Sequence, residues 1–219
     1  LIAPGLSFYS PTYTIKTEKG FQTIQSVDIN GDGVDEIVKI NFGELSGDNT
    51  ILKITIYTYN GSGISSQYFS VPVKGVVNNS GETTSPMSRE YYFGDFRGNG
   101  KTQLLTVSHN RAFTGADMTS YFAMIDLDTK TKLSETTLFP LGLSEGVNTN
   151  ALDMDGDGKM ELCHATSSGM NVYGLSGNTF SKLYTTTSIN NTAFNGSMIL
   201  GDLNGDGKID ILSPPPISF

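Results

Sequence analysis

The feature that most constrains the fold is a nine-residue pattern that occurs four times along the chain. Each copy begins with Asp, carries Gly at its fourth and sixth positions, and is followed by two apolar residues. The copies, called loops 1 to 4 here, are DINGDGVDE at 28–36, DFRGNGKTQ at 95–103, DMDGDGKME at 153–161 and DLNGDGKID at 202–210. Two Gly at fixed positions permit the positive φ angles of a tightly wound turn. A pattern that recurs in this way predicts an array of similar structural units.

The segments between the loops are typical of β-strands, since short apolar alternations are separated by turn signals such as NGSG at 60–63. The predicted strands are 21–29, 35–42, 51–59 and 67–73; 89–96, 102–108, 120–127 and 133–139; and 147–154, 160–166, 170–175 and 179–186. Four strands per repeat predict the blades of an all-β propeller. The units cover about 20–76, 88–142, 146–188 and, in part, 196–219, with one unpaired strand of a neighbouring blade at 6–17. We therefore expect residues 1–219 to form a single β-propeller-like domain, as a partial propeller or a segment of a larger one.

Composition and charge exclude several classes of protein. Thr, Ser, Asn and Gly are abundant and Ala is rare, which argues against a helical bundle. The formal net charge is −8, so we expect no nucleic-acid partner. No apolar run approaches the ~18 residues of a membrane-spanning helix, so we expect no membrane insertion. The chain has 1 Cys and can form no internal disulfide.

More than half of the 22 acidic residues lie in the four loops. Packed carboxylates repel one another, and a bound divalent cation is the usual means of keeping them ionised. Ca²⁺ takes about six to eight oxygen ligands, which side chains at positions 1, 3, 5 and 9 and the carbonyl of position 7 can supply. The predicted ligands are Asp28, Asn30, Asp32, the Val34 carbonyl and Glu36; Asp153, Asp155, Asp157, the Lys159 carbonyl and Glu161; and Asp202, Asn204, Asp206, the Lys208 carbonyl and Asp210.

Loop 2 departs from this pattern. Its positions 3, 5 and 9 are Arg97, Asn99 and Gln103, so one formal negative charge remains, on Asp95. We therefore expect three calcium sites and an empty loop 2, with a salt bridge from Arg97 to Asp95 in place of the ion. An EF-hand is excluded because it needs flanking helices and a Glu at position 12 of the loop.

The pattern D-x-[DN]-G-D-G-x-x-[DE] followed by two apolar residues resembles the FG-GAP/VCBS repeats. These are the calcium-loop blades of integrin α-subunit propellers and of many bacterial secreted proteins, including propeller regions of Rhs-repeat and toxin-complex proteins. The segment YFGDFRGNGKTQLL is similar to a degenerate form of the same repeat. The resemblance implies a β-propeller whose calcium ions are structural.

For function, we expect a non-catalytic, calcium-stabilised scaffold or protein-interaction module of a secreted or surface bacterial protein, similar to the Rhs-repeat and toxin-complex proteins. The expected partner is another protein or the remaining blades of the parent chain. A carbohydrate-binding lectin or adhesin propeller is an alternative, and a hydrolase accessory domain is a second one. Cys163 occupies a core slot of the repeat, whereas His164 is expected to point to solvent, so the two form no catalytic dyad. Loops of this kind fill where calcium is near millimolar, so we expect an extracytoplasmic location.

Overall fold

In the computed structural model the chain forms β-strands joined by tight turns. The structure describes residues 22–46, 49–74, 89–109, 120–138, 149–166, 169–177, 179–187, 199–206 and 209–212. Within these ranges every element is a strand, and no helix is present that is long and apolar enough to cross a membrane. The strand expected at 6–17 lies outside the described residues.

The described residues form fourteen strands, arranged as three four-stranded sheets and a two-stranded one. Sheet 1 contains β1 (Gln22–Val27), β2 (Glu36–Ser46), β3 (Asn49–Tyr59) and β4 (Ile64–Lys74). Sheet 2 contains β5 (Arg89–Gly94), β6 (Gln103–His109), β7 (Ser120–Asp126) and β8 (Thr131–Leu138). Sheet 3 contains β9 (Thr149–Leu152), β10 (Glu161–Thr166), β11 (Gly169–Ser176) and β12 (Thr179–Thr187). The two-stranded sheet pairs β13 (Ile199–Gly201) with β14 (Asp210–Leu212).

Each four-stranded sheet is an antiparallel meander in which the strands pair in chain order. All twelve strands predicted in the first three units are confirmed, with shifts of a few residues at their ends, and the partial fourth unit contributes two strands. Every loop of the repeat connects the first strand of its sheet to the second. The four loops therefore stand at equivalent positions in successive sheets.

The apolar pairs that follow the loops explain how the sheets pack. Leu104 and Leu105 are neighbours on β6, so their side chains project from opposite faces of sheet 2. Leu104 joins a core with Val38 and Ile54 of sheet 1. Leu105 joins a second core with Leu162 of sheet 3. Both residues are fully buried, so sheet 2 is covered on both faces.

Aromatic rings fill the core between sheets 2 and 3. Phe122 of β7 stacks on Phe180 of β12 with ring centroids 5.4 Å apart. Phe96, the apolar residue at position 2 of loop 2, meets Phe180 edge to face at 6.4 Å. Position 2 of loop 1, Ile29, is buried in the core between sheets 1 and 2 in the same manner. The position-2 side chain thus fastens each of these loops to the core beside it.

The side chains of Cys163 and His164 are both fully buried. For Cys163 this agrees with the expected core thiol, and burial raises its pKa to about 12. For His164 the expectation of solvent exposure is wrong. Leu162 and His164 share the face of β10 that packs on sheet 2, and the His164 Nδ1 lies 3.0 Å from the Oγ1 of Thr149. The cause is that both faces of β10 are covered. Sheet 2 covers the face of Leu162 and His164, and a separate core covers the face of Cys163, so neither face reaches water.

Candidate metal centre

The aspartate at position 1 organises the backbone of each loop. In loop 1 the Asp28 carboxylate accepts hydrogen bonds from the N–H groups of Gly31 and Gly33, both at 2.8 Å. The bond from Gly33 is the main cause that lowers the pKa of Asp28. Both Gly have positive φ, 80° and 84°, which turns their N–H groups towards this side chain. In loop 3 the aspartate at position 1 is Asp153, and its carboxylate accepts the N–H of Gly156 at 2.8 Å and the N–H of Gly158 at 2.9 Å.

In loops 1, 3 and 4 the acid at position 9 is hydrogen-bonded to the start of its own loop. It accepts the N–H of position 2, from Ile29 to Glu36 at 3.0 Å, from Met154 to Glu161 at 2.8 Å, and from Leu203 to Asp210 at 3.0 Å. Glu36 and Glu161 are buried although they carry carboxylates. A buried carboxylate requires compensation from hydrogen bonds or from positive charge. One oxygen of each takes the backbone bond, and the Glu161 carboxylate also lies close to Asp153 and Asp155.

Loop 3 contains a close group of acids. Among the described residues, one set of three acidic side chains has its oxygens within 4.8 Å of one another, and it consists of Asp153, Asp155 and Glu161. Burial, with the nearby carboxylates of Asp155, Asp157 and Asp153 adding to it, raises the pKa of Glu161 to about 7. In this geometry the negative charge is held together at a cost, and a cation among the oxygens would remove that cost.

The fourth acid of loop 3 faces a lysine. The Asp157 Oδ2 lies 2.5 Å from the Lys159 ammonium, and its Oδ1 accepts the Lys159 backbone N–H at 2.8 Å. The bond from the ammonium is the main cause that lowers the pKa of Asp157. Both side chains are more than two-fifths exposed, so this pair contributes little to stability. Asp157 is not one of the three acids whose oxygens lie within 4.8 Å of one another.

Loops 1 and 4 share a further contact at positions 3 and 5. In loop 1 the Asn30 amide donates to Asp32 at 3.0 Å, and in loop 4 the Asn204 amide donates to Asp206 at 3.4 Å. Backbone bonds to the position-1 aspartate recur in loop 4, since the N–H of Gly205 donates to Asp202 at 2.6 Å. Positions 1, 3 and 5 therefore make equivalent contacts in loops 1 and 4, whereas position 5 of loop 3, Asp157, faces Lys159. The carbonyls of Val34 and Lys159 belong to these turns, whereas Lys208 lies outside the described residues.

Loop 2 keeps the turn with different chemistry. Asp95 accepts the N–H groups of Asn99 at 3.0 Å and of Gly100 at 2.6 Å, as the first aspartate does elsewhere. The fully buried Gln103 accepts the Arg97 N–H through Oε1 at 3.1 Å. Its Nε2 donates to the Lys101 carbonyl at 2.7 Å and lies 3.4 Å from the Asn99 Oδ1. The Gln103 amide thus contacts the position-5 side chain and the position-7 carbonyl, two of the groups that were predicted to hold a cation in the other loops.

The expected salt bridge from Arg97 to Asp95 is wrong. Asp95 receives the Arg97 backbone N–H at 3.2 Å, and the guanidinium instead lies 4.0 Å from the Asp126 carboxylate at the end of β7. The physical reason is that the position-1 carboxylate is already engaged by backbone N–H groups. The side chain that fills the interior of loop 2 is that of Gln103, which the sequence pattern indicated only as a missing acid. The pairing of Gln at position 9 with Asn at position 5 was the signal available for it.

Comparison with known proteins supports the repeat. Residues 153–213 match the family model for an FG-GAP-like repeat. A solved structure of an Agrocybe aegerita lectin, described as recognising non-reducing terminal N-acetylglucosamine, is similar at 14% sequence identity and a TM-score of 0.40. The alignment covers 88% of this chain and 60% of that chain. No curated protein sequence matches the chain.

The residues of loops 1, 3 and 4 fit a calcium ion by the chemistry of their donors. The predicted ligand atoms are oxygens of carboxylates, side-chain amides and backbone carbonyls, with no nitrogen or sulfur ligand among them, which suits a hard cation. Oxygens within 4.8 Å of one another in loop 3 can share one ion whose Ca–O distances are about 2.3–2.6 Å. Bound there, a divalent cation would supply positive charge beside the buried carboxylate of Glu161 and its two neighbours.

Proposed function

We propose that this chain is a calcium-stabilised, non-catalytic β-propeller repeat segment that acts as a scaffold or protein-interaction module. The observation that carries the proposal is the acid group of loop 3, where Asp153, Asp155 and Glu161 hold their oxygens within 4.8 Å. Such a group is unfavourable by itself, and burial, with a smaller contribution from the neighbouring carboxylates, raises the pKa of Glu161 to about 7. The role of the loop is therefore to take up a cation that stabilises the turn and the sheet attached to it.

The propeller arrangement rests on the way the sheets stack. Three four-stranded meanders pack face to face in chain order, and their loops stand at equivalent positions. Blades of a propeller pack in this manner, with each blade covering one face of the next. Cys163, Met170 and Val172 form a third core on the far face of sheet 3, where a further blade would continue the series.

A structural ion suits an interaction module better than an enzyme. The acids of loops 1, 3 and 4 are engaged by backbone N–H groups, which leaves them poorly placed to act on a substrate. We assign the protein to the secreted or surface-exposed class because loops of this type fill at the millimolar calcium found outside the cytosol. The proposed partners are another protein or further blades of a parent chain, as in the bacterial Rhs-repeat and toxin-complex proteins that the sequence resembles.

The experiment is a thermal melt in 1 mM CaCl₂ and again in excess EDTA. If each of three sites has a Kd of about 10 μM, calcium stabilises the fold by roughly 2.7 kcal/mol per site. At about 2–4 °C per kcal/mol, chelation lowers the Tm by some 15–30 °C. Equal Tm values in the two buffers would refute the calcium-stabilised scaffold.

Loop 1 offers a matched pair of variants for this melt. Asp32 is a predicted ligand, whereas the exposed Asp35 accepts a hydrogen bond from the Ser26 hydroxyl at 2.7 Å and is not a predicted ligand. Asp32→Asn should reduce the calcium-dependent rise in Tm by about a third, since one of three sites is weakened. Asp35→Asn removes the same charge and should leave that rise unchanged.

Carbohydrate binding is the second candidate. Tyr59 and Tyr68 are about 60% exposed. Tyr59 pairs with Ile64, and Tyr68 pairs with Thr55, which places both tyrosines on one face of sheet 1. Exposed aromatic rings suit the apolar faces of sugars. Binding on a glycan array that is lost in a Tyr59→Ala, Tyr68→Ala variant would favour this function over the scaffold.

A further inference from the structure

Loop 2 is hydrogen-bonded directly to loop 1. The Thr102 N–H donates to the Ile29 carbonyl at 3.1 Å, and the Thr102 hydroxyl donates to the Asp28 carbonyl at 2.6 Å. Asp28 and Ile29 are positions 1 and 2 of loop 1. Gly31 also packs so closely on loop 2 that an added Cβ would overlap the Gly100 carbonyl oxygen. The start of loop 1 is therefore held by the end of loop 2.

Loop 3 is bonded to loop 2 in the same direction. The Met160 N–H donates to the Asp95 carbonyl at 2.9 Å, and Met160 occupies the same position 8 as Thr102. An added Cβ on Gly98 would meet the Lys159 side chain at 2.8 Å. In both junctions the position-8 N–H of one loop thus reaches a carbonyl at the start of the preceding loop.

The peptide unit that makes each junction also faces its own loop. In loop 2 the Lys101 carbonyl, which shares a peptide unit with the Thr102 N–H, accepts the Gln103 amide at 2.7 Å. A trans peptide points its C=O and its N–H in opposite directions, and the described chain contains no cis peptide. The Lys159 carbonyl, which shares a peptide unit with the Met160 N–H, accordingly points back towards loop 3. We call 101–102 and 159–160 the bridging peptides.

From these junctions we infer that cation binding in loop 1 and cation binding in loop 3 are positively coupled through loop 2. The inference rests on the proposed function, because it concerns the regulation of those same sites. The Lys159 carbonyl is a predicted ligand, and a carbonyl engaged by positive charge polarises its peptide and strengthens the hydrogen bond that the N–H donates. A stronger Met160 bond shifts the start of loop 2, and loop 2 passes that displacement on to Asp28 and Ile29 through the two Thr102 bonds.

Gln103 suits loop 2 to this task. Its buried amide keeps the loop formed at every calcium concentration, since the bonds to Lys101 and Arg97 need no ion. A loop that collapsed on losing an ion would interrupt the series, whereas a permanently formed loop connects its neighbours at all times. The loop without a full set of acids becomes the connection between the two loops that have one.

The test is a calcium titration of the ¹⁵N-labelled full chain, followed by NMR at single amides. Gly33 and Gly158 report on loops 1 and 3, because each donates its N–H to the position-1 aspartate of its own loop. Loop 3 is disabled by Asp155→Asn with Asp157→Asn, two exposed positions whose substitution leaves the core intact. We expect the Gly33 midpoint to move to about fivefold higher calcium, at the low end of typical couplings.

The matched control is Thr102→Val, which removes the hydroxyl bond to Asp28 and leaves every loop acid in place. In that background, disabling loop 3 should move the Gly33 midpoint by less than twofold. This separates the bridging contacts from simple repulsion between charged loops, which Thr102→Val does not alter. The reciprocal variant Asp32→Asn should move the Gly158 midpoint by the same factor, because binding couplings are mutual.

Two outcomes overturn the inference in distinguishable ways. If Gly33 and Gly158 titrate but the Gly33 midpoint is the same with and without a working loop 3, the coupling is wrong and the calcium sites stand. If neither amide moves up to about 10 mM calcium, well above the extracellular range, the proposed function is wrong and the coupling falls with it.

Discussion

Loops 2 and 3 form the same turn with opposite chemistry. In both, the position-1 aspartate accepts backbone N–H groups from the loop, and the position-9 side chain accepts one from the start of the loop. In loop 3 the interior holds three carboxylates, whereas in loop 2 it holds the amide of Gln103. In loop 2 a side-chain amide thus supplies a hydrogen-bond donor at the place where we propose a cation in loop 3.

The two solutions differ in what they require from solution. Burial and neighbouring acids raise the pKa of Glu161 to about 7, so the ionised form of this carboxylate is disfavoured in loop 3. Gln103 carries no charge, is fully buried, and has its amide hydrogen-bonded on both sides. Loop 2 is therefore expected to be independent of calcium and loop 3 to depend on it.

The variant Gln103→Glu is expected to have the largest effect on stability. It places a carboxylate beside the Lys101 carbonyl and removes the donor that the carbonyl uses. An uncompensated buried charge costs about 3–5 kcal/mol, which corresponds to a Tm about 6–20 °C lower for a domain of this size. The measurement is a thermal melt in EDTA at pH 8.

The control for that melt is Gln25→Glu, the same chemical change at an exposed site on β1. It should alter the Tm by no more than about 2 °C, since surface substitutions stay within about 0.5 kcal/mol. If Gln103→Glu has the same Tm as the wild type in EDTA, the Gln103 side chain does not stabilise loop 2.

A triple variant converts the chemistry of loop 2 into that of loop 3. Arg97→Asp, Asn99→Asp and Gln103→Glu give loop 2 the acids of loop 3 at positions 3, 5 and 9. The variant should unfold more readily in EDTA and regain roughly 2.7 kcal/mol in calcium at 100 times the Kd of a new site. Isothermal titration should then count one calcium more than in the wild type.

The contact between loops 1 and 2 gives the next largest effect. Gly31 has a φ of 80°, and an added Cβ would overlap the backbone oxygen of Gly100, so Gly31→Ala combines strain with a clash. Gly100 has a φ of 74° but open space around an added Cβ, so Gly100→Ala carries the strain alone, about 1–2 kcal/mol. Urea unfolding should show Gly31→Ala to be the less stable by at least about 1 kcal/mol, and equal midpoints would mean that the loops separate easily.

Much of the fold could be predicted from the sequence because the repeat aligns four copies of one unit. The Asp, the two Gly and the apolar pair indicate where the first strand of each unit ends and the second begins, and apolar alternation between turn signals predicts the other two. The burial of His164 could not be predicted in this way. Its slot holds Lys39 and Thr106 in the other units, and its burial depends on which sheet covers each face of β10.

The site was predictable to the same limit. The spacing places Asp153, Asp155 and Glu161 in one turn, and the structure brings their oxygens together. The role of Gln103 was missed because an amide at a position that is acidic in the other loops was interpreted only as the loss of a metal ligand. Whether it donates into the loop depends on side-chain geometry that the spacing does not contain.

The variant Glu161→Gln makes loop 3 resemble loop 2. Without calcium it should be at least as stable as the wild type, because a neutral amide replaces a buried carboxylate that faces other acids. In calcium it should lose up to roughly 2.7 kcal/mol, the contribution of one saturated site. Thermal melts in EDTA and in calcium measure these two changes in stability. A lower Tm than the wild type in EDTA would show that a Gln at position 161 does not make the hydrogen bonds that Gln103 makes.

The smallest effect is expected at Arg97, and it decides between two accounts of loop 2. If the guanidinium replaced the ion, Arg97→Ala would destabilise the loop severely. The side chain is 41% exposed and lies 4.0 Å from Asp126, so the ion pair is worth no more than about 0.5 kcal/mol. Its backbone N–H, which bonds Gln103 and Asp95, is kept in the variant. A Tm within about 2 °C of the wild type in EDTA would leave Gln103 as the group that holds loop 2, whereas a fall as large as that of Gln103→Glu would return the role to the arginine.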